Sequence, residues 1–388
     1  MVLRYAGISS VILALGARAL EAAQESSFEE KLLATLPEGV DDVYSVHPVF
    51  SPDGRSVCYG IEQSKRWYVV FEGKKSEPFD DVSDLQYALG GKAIAYRASK
   101  GGRAFAACGD SRSKDFATIE RLVLHPNGKT FAFQAYEKEG DRRKGFVVVE
   151  DKKGESFDFV SGLRFSPDGA AVAYLGIKDY GPNYKLYYVV TGDKKYGDYK
   201  EAYPPVFSPD GKRVAYAALD GWGSWRIFVD GESNAGAGLF QNAIGPTFSA
   251  DGKVMAYAGL EGDGWHVHVG EKKGEAYAGV DWPVLNRDGS LVAYGITTRS
   301  YNQHMVVGER KGREFKSVWG PTFDPGGTKV AYVAGKEARG GSYVVLGDRL
   351  EGPFDNVGEL VFRADGKKLA FGARKGRELW WKVMDVEK

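Results

Sequence analysis

Five histidines and a recurring set of aspartates are the residues of this 388-residue chain whose types suit chemistry. In "WHVHVG", His266 and His268 lie two apart. On a strand they share one face, an arrangement able to hold a metal ion. The spacing suggests no third ligand among His47, His125 and His304, so no metal is assigned. His125 stands where other repeats have a turn serine and reads as a turn residue. Asp53, Asp168, Asp210, Asp251 and Asp365 could be a collection of acid/base carboxylates. Each occupies the same Asp-Gly turn of its own repeat, however, which makes them turn formers. The chain has no G-x-S-x-G elbow, phosphate-binding loop or dinucleotide fingerprint. No catalytic residue or cofactor is therefore assigned. Cys58 and Cys108 sit in strand-like runs and read as buried free thiols, with a single bridge as the alternative.

The elements that must position these residues repeat along the chain. "PVFSPDGRSVCYG" (48–60) returns as "LRFSPDGAAVAYLG" (163–176), "PVFSPDGKRVAYAA" (205–218) and "PTFSADGKVMAYAG" (246–259). The turn glycines are Gly54, Gly91, Gly128, Gly169, Gly211, Gly252, Gly289, Gly327 and Gly366, spaced 37 to 42 residues apart. Each unit reads as a short apolar strand, a Ser-Pro-Asp-Gly turn, a second strand, a variable loop, and a third strand such as "WYVVFEG" (67–73). Segments such as "SEPFDDVSD" (76–84) and "EGPFDNVGE" (351–359) supply the fourth. Four antiparallel strands in about 40 residues make a propeller blade. The fold class is an all-β closed β-propeller of nine units, with eight blades plus an irregular unit as the alternative count. Unit two (85–98) has lost the Ser-Pro-Asp and is the irregular candidate. Trp67, Phe146, Trp225, Trp265 and Trp380 share one third-strand register and read as packing residues.

The last unit stops after a third strand, "LWWKVMD" (379–385). "GVDDVYSV" (39–46) fits the fourth-strand pattern, so it is expected to complete the last blade and remove the open sheet edge. "SSFEEKLLATL" (26–36) reads as a short helix with Ser27 and Glu30 in capping-box spacing. The apolar run "YAGISSVILALGA" (5–17) makes residues 1–23 a signal peptide or a hydrophobic anchor. A signal peptide implies export to a periplasmic or extracellular location. Membrane association is expected only if residues 1–23 are retained.

"FSPDGKxVAYxA" followed by "W-x-V-V-V-D-G" resembles the PD40, or TolB-like, branch of WD40-like bacterial propellers, over about 340 residues. The resemblance implies the fold and leaves function open, because this repeat frames many roles. Hydrophobic residues are 43% and charged residues 27%, and Lys+Arg equals Asp+Glu at 52 each. With no net basic field, nucleic-acid binding is not expected.

Function is expected where the repeat is broken. The loops between second and third strands differ strongly and carry Tyr180, Tyr184, Trp222 and Tyr301 outside the shared aromatic register. The joints between blades add His47, Asp84, Arg121, Tyr203, Trp282, Trp319 and Glu359. Tyr180, Tyr184, Trp222, Tyr301, Trp282 and Trp319 are expected to cluster on one sector of the channel face as a contact for a protein or a glycan. The chain reads as a non-catalytic binding or scaffold propeller, exported or part of a larger envelope or membrane assembly. The alternative is a hydrolase or lyase whose residues line the channel.

Overall fold

The computed structural model describes residues 28–42, 46–88, 91–140, 142–182, 184–234, 238–337 and 340–387. The leader expected at residues 1–23 and the Ser27 cap lie outside them. Among the described residues the chain forms nine antiparallel sheets and no helix. Blade one runs Val49–Phe50, Val57–Gln63, Arg66–Phe71 and Lys74–Lys75. The first strands of blades one to four and of blades six to nine touch in succession, and that of blade nine touches that of blade one. Blade five is linked by contacts of its first strand with the third strand of blade four and of its second strand with the first strand of blade six. The first strands therefore form an inner ring about a central channel. Unit two is a regular blade despite its lost motif, with Gly91 N–H donating to the Ala88 carbonyl at 2.9 Å.

The turn between first and second strands explains the repeated sequence. Ser51 Oγ donates to Asp53 Oδ1 (2.6 Å) and accepts the Ser56 N–H (2.9 Å), while Asp53 Oδ1 accepts the Arg55 N–H (3.0 Å). Gly54 closes the turn at φ 65°, a conformation that favours glycine. The same bonds form at Ser166/Asp168, Ser208/Asp210 and Ser249/Asp251. The serine hydroxyl first, and a backbone N–H second, hold Asp168, Asp210 and Asp251 below the usual carboxylate range. His125 is a turn residue as expected: its Nδ1 accepts the Asn127 N–H (3.0 Å).

The core lies between blades. Small residues of the second strands, such as Ala95, Ala135 and Ala258, are fully buried and let aromatic neighbours approach. Trp225 is buried and Trp67 and Trp265 half-buried, and these three share one register. The register expected for all five fails at Phe146 and Trp380, which pair with Ala135 and Ala373 one residue out of step, while Gly145 and Leu379 hold the equivalent positions. Both cysteines are buried free thiols, and burial pushes Cys58 up to about 12.

Two expectations about segments need correction. First, residues 76–84 are not one strand. Phe79 pairs with Trp67 in an isolated bridge at the outer edge of blade one, and Asp81–Tyr87 is already the inner strand of blade two. Residues 351–359 divide likewise between Arg349–Phe354 and Asn356–Phe362. Second, the N-terminal segment does close the ring, but with a different strand. Lys31–Thr35, read from sequence as helix, pairs antiparallel with Glu378–Asp385 as the outer strand of blade nine. Residues 38–39 are a turn, residues 40–42 form no strand, and residues 43–45 lie outside the described residues. Edge pairing and burial outweigh helix propensity here. Phe28 and Leu36 bracket the strand and are 8% and 2% exposed. Phe28 packs with Trp381, and Leu36 with Leu379 and Ile61. Leu36 N–H donates to the Arg377 carbonyl (2.8 Å), and Arg377 donates back to the carbonyls of Leu36 and Pro37. At the joint itself the Phe50 ring of blade one lies against Gly372 of blade nine, where a Cβ would fall inside the ring.

Candidate functional site

Antiparallel order sends the loops between second and third strands and the blade-to-blade joints to one face, opposite the Ser-Pro-Asp-Gly turns. Among the described residues, eight large apolar side chains stand exposed. Six of them, Phe159, Tyr180, Tyr184, Trp222, Tyr301 and Trp319, are at this loop face.

The loops that carry them are built, not slack. In blade five, the buried Asp220 carboxylate accepts the N–H groups of Trp222 and Ser224 (2.9 Å each) and the Arg226 Nε–H (2.6 Å). Burial raises the Asp220 pKa, but the Ser224 N–H, the Arg226 guanidinium and the Trp222 N–H together outweigh it and leave the group lowered. The result presents Trp222 at 92% exposure. In blade four, Tyr180 N–H donates to the Tyr184 carbonyl (2.9 Å), Asp179 Oδ1 accepts the Gly181 N–H (3.0 Å), and the two tyrosine rings lie 5.5 Å apart. In blade seven, Tyr301 is 84% exposed and held at φ 61°, an uncommon conformation for an aromatic residue. Its N–H donates to the Thr298 carbonyl (3.0 Å).

Trp282 differs from the other five predicted contact residues. It is half-buried, packs over Gly245 of blade six, and meets Tyr203 edge-on at 6.4 Å. Trp319, 38% exposed, lies in the inner strand of blade eight. Among the described residues, no ring contact joins Trp222, Tyr301 or Trp319 to another aromatic residue. Blade six contributes no aromatic residue to its loop; Glu261 and Asp263 stand there, between the aromatic loops of blades five and seven.

That hairpin also completes the histidine pair. His266 Nδ1 bonds the Gly274 carbonyl (2.9 Å) and Nε2 meets Asp263 Oδ1 (2.9 Å), while His268 Nε2 meets Glu261 Oε1 (3.2 Å). Glu261, Asp263 and His266 bring ligand atoms within 4.8 Å of one another. Spacing alone missed both acids, which reach His266 only because the hairpin folds them back over the strand. Lys273 holds the second Glu261 oxygen at 2.6 Å.

The joint residues Asp84, Arg121, Trp319 and Glu359 fall inside inner strands, not before them as their positions suggested. Bulges interrupt the pairing at these points, for example between Ser83 and Gln86 and between Ile119 and Arg121. In blades five and seven the strand breaks in two around Pro204-Pro205 and Pro283, which lack the N–H a ladder needs. Asp281 and Glu359 are open to solvent yet surrounded by enough protein to raise their pKa values, Asp281 to about 6.

These features define the protein as a nine-bladed β-propeller with an aromatic loop face. No family model matches the sequence, and no curated protein matches it. The chain is similar to several solved structures. One is a crystal structure of a eukaryotic initiation factor, 12% identical, with a TM-score of 0.51, covering 85% of this chain and 93% of that one. The β-propeller domain of the Trilobed protease from Pyrococcus furiosus, with an open velcro topology, is 12% identical at a TM-score of 0.41, covering 79% and 97%. The Pyrococcus horikoshii acylaminoacyl peptidase is 13% identical at a TM-score of 0.40, and this chain spans 57% of it. The likeness to the initiation factor, at 12% identity, is one of fold alone.

Proposed function

We propose that the chain is a binding propeller of the PD40, TolB-like kind that holds a protein partner on its loop face. One observation carries this reading: exposed aromatic side chains concentrate on that face, on loops fixed by buried or backbone hydrogen bonds. Tyr and Trp supply large contact area at low entropic cost, and a fixed loop loses little freedom on binding. The Tyr180–Tyr184 pair and Trp222 come from adjacent blades and form the centre of the contact, with Tyr301 and Trp319 further round the ring. Trp282 supports this surface from below by packing on Gly245. A glycan that stacks on the same rings is the alternative ligand. Export, with the partner in an envelope assembly, follows if residues 1–23 act as a signal peptide.

A second reading rests on Asp281 and Glu359, whose raised pKa values suit proton transfer in a channel-lining hydrolase or lyase. They come from blades seven and nine, with blade eight between them. The deciding experiment is affinity capture from native extract, with parent protein beside the Trp222→Ala/Tyr301→Ala and Asp281→Asn/Glu359→Gln variants. The binding reading predicts loss of capture with the first variant only. Capture unaffected by the aromatic double variant contradicts it.

A further inference from the structure

Three buried side-chain polar atoms gather in one part of the inner ring without a hydrogen-bond partner: Ser83 Oγ, Arg121 Nε and Arg164 Nε. They lie on the inner strands of three consecutive blades, Asp81–Tyr87, Thr118–Leu124 and Phe159–Phe165. Buried polar groups are nearly always paired, so each exception calls for an explanation. A guanidinium is the costliest of these to leave unpaired, because it stays charged.

The local acids do not supply the partner. Asp84 accepts the Arg97 Nε–H (3.2 Å) and the Leu122 N–H (3.0 Å), and Arg97 Nη1 continues to the Ile119 carbonyl (2.7 Å). Glu120, next to Arg121, is held by Arg143 at 2.6 Å. Among the described residues, Arg121 and Arg164 have no ion pair. They are near enough to feel each other: burial first, and the Arg121 charge second, push Arg164 down to about 10. Two like charges kept together at an internal wall are held there against their own repulsion.

The backbone fixes the arrangement. Bulges between Ile119 and Arg121 and between Ser161 and Arg164 immediately precede the two arginines, which resume the ladder opposite Gln134 and Ala173. Gly162, at φ 68°, forms the second bulge and abuts Pro204 of blade five. The Gln134 amide, with its oxygen turned to the N–H groups of Gly162 and Leu163 (3.1 Å each), ties the bulge of blade four to blade three. Gln134 is the register partner of Arg121, so one bridge braces both arginine positions.

We propose that the channel wall at blades three and four is an oxyanion site, in which Arg121 and Arg164 clasp a phosphate or carboxylate group of a ligand entering the channel. An arginine offers Nε–H and Nη–H side by side, which matches two oxygens of such a group. Ser83 Oγ is a third donor available in the same sector. The site is independent of the aromatic loop face and can fail without it.

Titration calorimetry of the full chain at constant ionic strength tests this, with inorganic phosphate in one arm and succinate in the other. The expected result is saturable binding of at least one anion, weakened about tenfold or more in Arg121→Gln and lost in Arg121→Gln/Arg164→Gln. Tighter phosphate binding assigns a phosphate-bearing ligand, and tighter succinate binding a carboxylate-bearing one. Saturation by neither anion, or equal binding by the double variant, overturns the proposal. If the glutamine variants do not fold, Arg164→Lys replaces them, since it keeps the charge and loses the fork. Weakened binding then supports the site, and unchanged binding overturns it.

Discussion

Removing the closing strand should open the ring at a defined place. The comparison is between a chain that starts at residue 28 and one that starts at residue 37, so that the difference reports Phe28, Leu36 and the strand Lys31–Thr35 alone. Phe28 and Leu36 are 8% and 2% exposed, and burying each apolar side chain contributes about 1.5–3 kcal/mol. Together that is about 3–6 kcal/mol, before the ladder to Glu378–Asp385 is counted. A domain of ordinary stability holds only about 5–15 kcal/mol, so the loss is a large fraction of the whole. The shorter chain also exposes the backbone edge of Glu378–Asp385, a template for pairing with a second copy. Thermal unfolding followed by circular dichroism, with light scattering for mass, should show a clearly lower Tm and oligomers. A monomer with the Tm of the longer chain would refute closure by this strand.

Asp168→Ala and Asp210→Ala should each cost about 0.5–2 kcal/mol in chemical denaturation without altering partner capture, because each carboxylate only fixes its own turn. Loss of capture with an unchanged melting curve would show the turns to be functional. For Asp281, burial raises the folded pKa to about 6 from 3.8, so its favourable contribution is complete below about 3.8 and is lost as pH rises through about 6. Asp281→Asn should therefore melt with the parent at pH 4 and above it at pH 7; the reverse order would mean that the carboxylate is paired in the folded state.

The blade was legible in the sequence because its determinants are local. A turn that needs a positive φ at one corner writes a glycine each time, Gly54 through Gly366 in all nine units, with Asp before it in six. The closing strand was not legible, because "KLLATL" has no strand signal of its own and becomes one only against Glu378–Asp385, some 340 residues away. The boundary between fourth and first strands was blurred for a related reason: Phe79 and Asp81 are nearly adjacent in sequence yet belong to different blades. Exposure of Tyr180, Tyr184, Trp222 and Tyr301 could be read from their departure from the repeat. The half-burial of Trp282 could not, since it depends on Gly245 in the preceding blade. The unpaired state of Arg121 and Arg164 is a property of three blades together and leaves no mark in any one of them.

The claim that the loop face holds a protein partner is tested most directly by quantitative capture from native extract. The parent is compared with Trp222→Ala/Tyr301→Ala at matched folded concentration. Both side chains are exposed, so the double variant should melt within about 0.5 kcal/mol per site of the parent while its partner recovery falls sharply. Recovery of the same partners in the same amounts by an equally stable double variant would contradict the account.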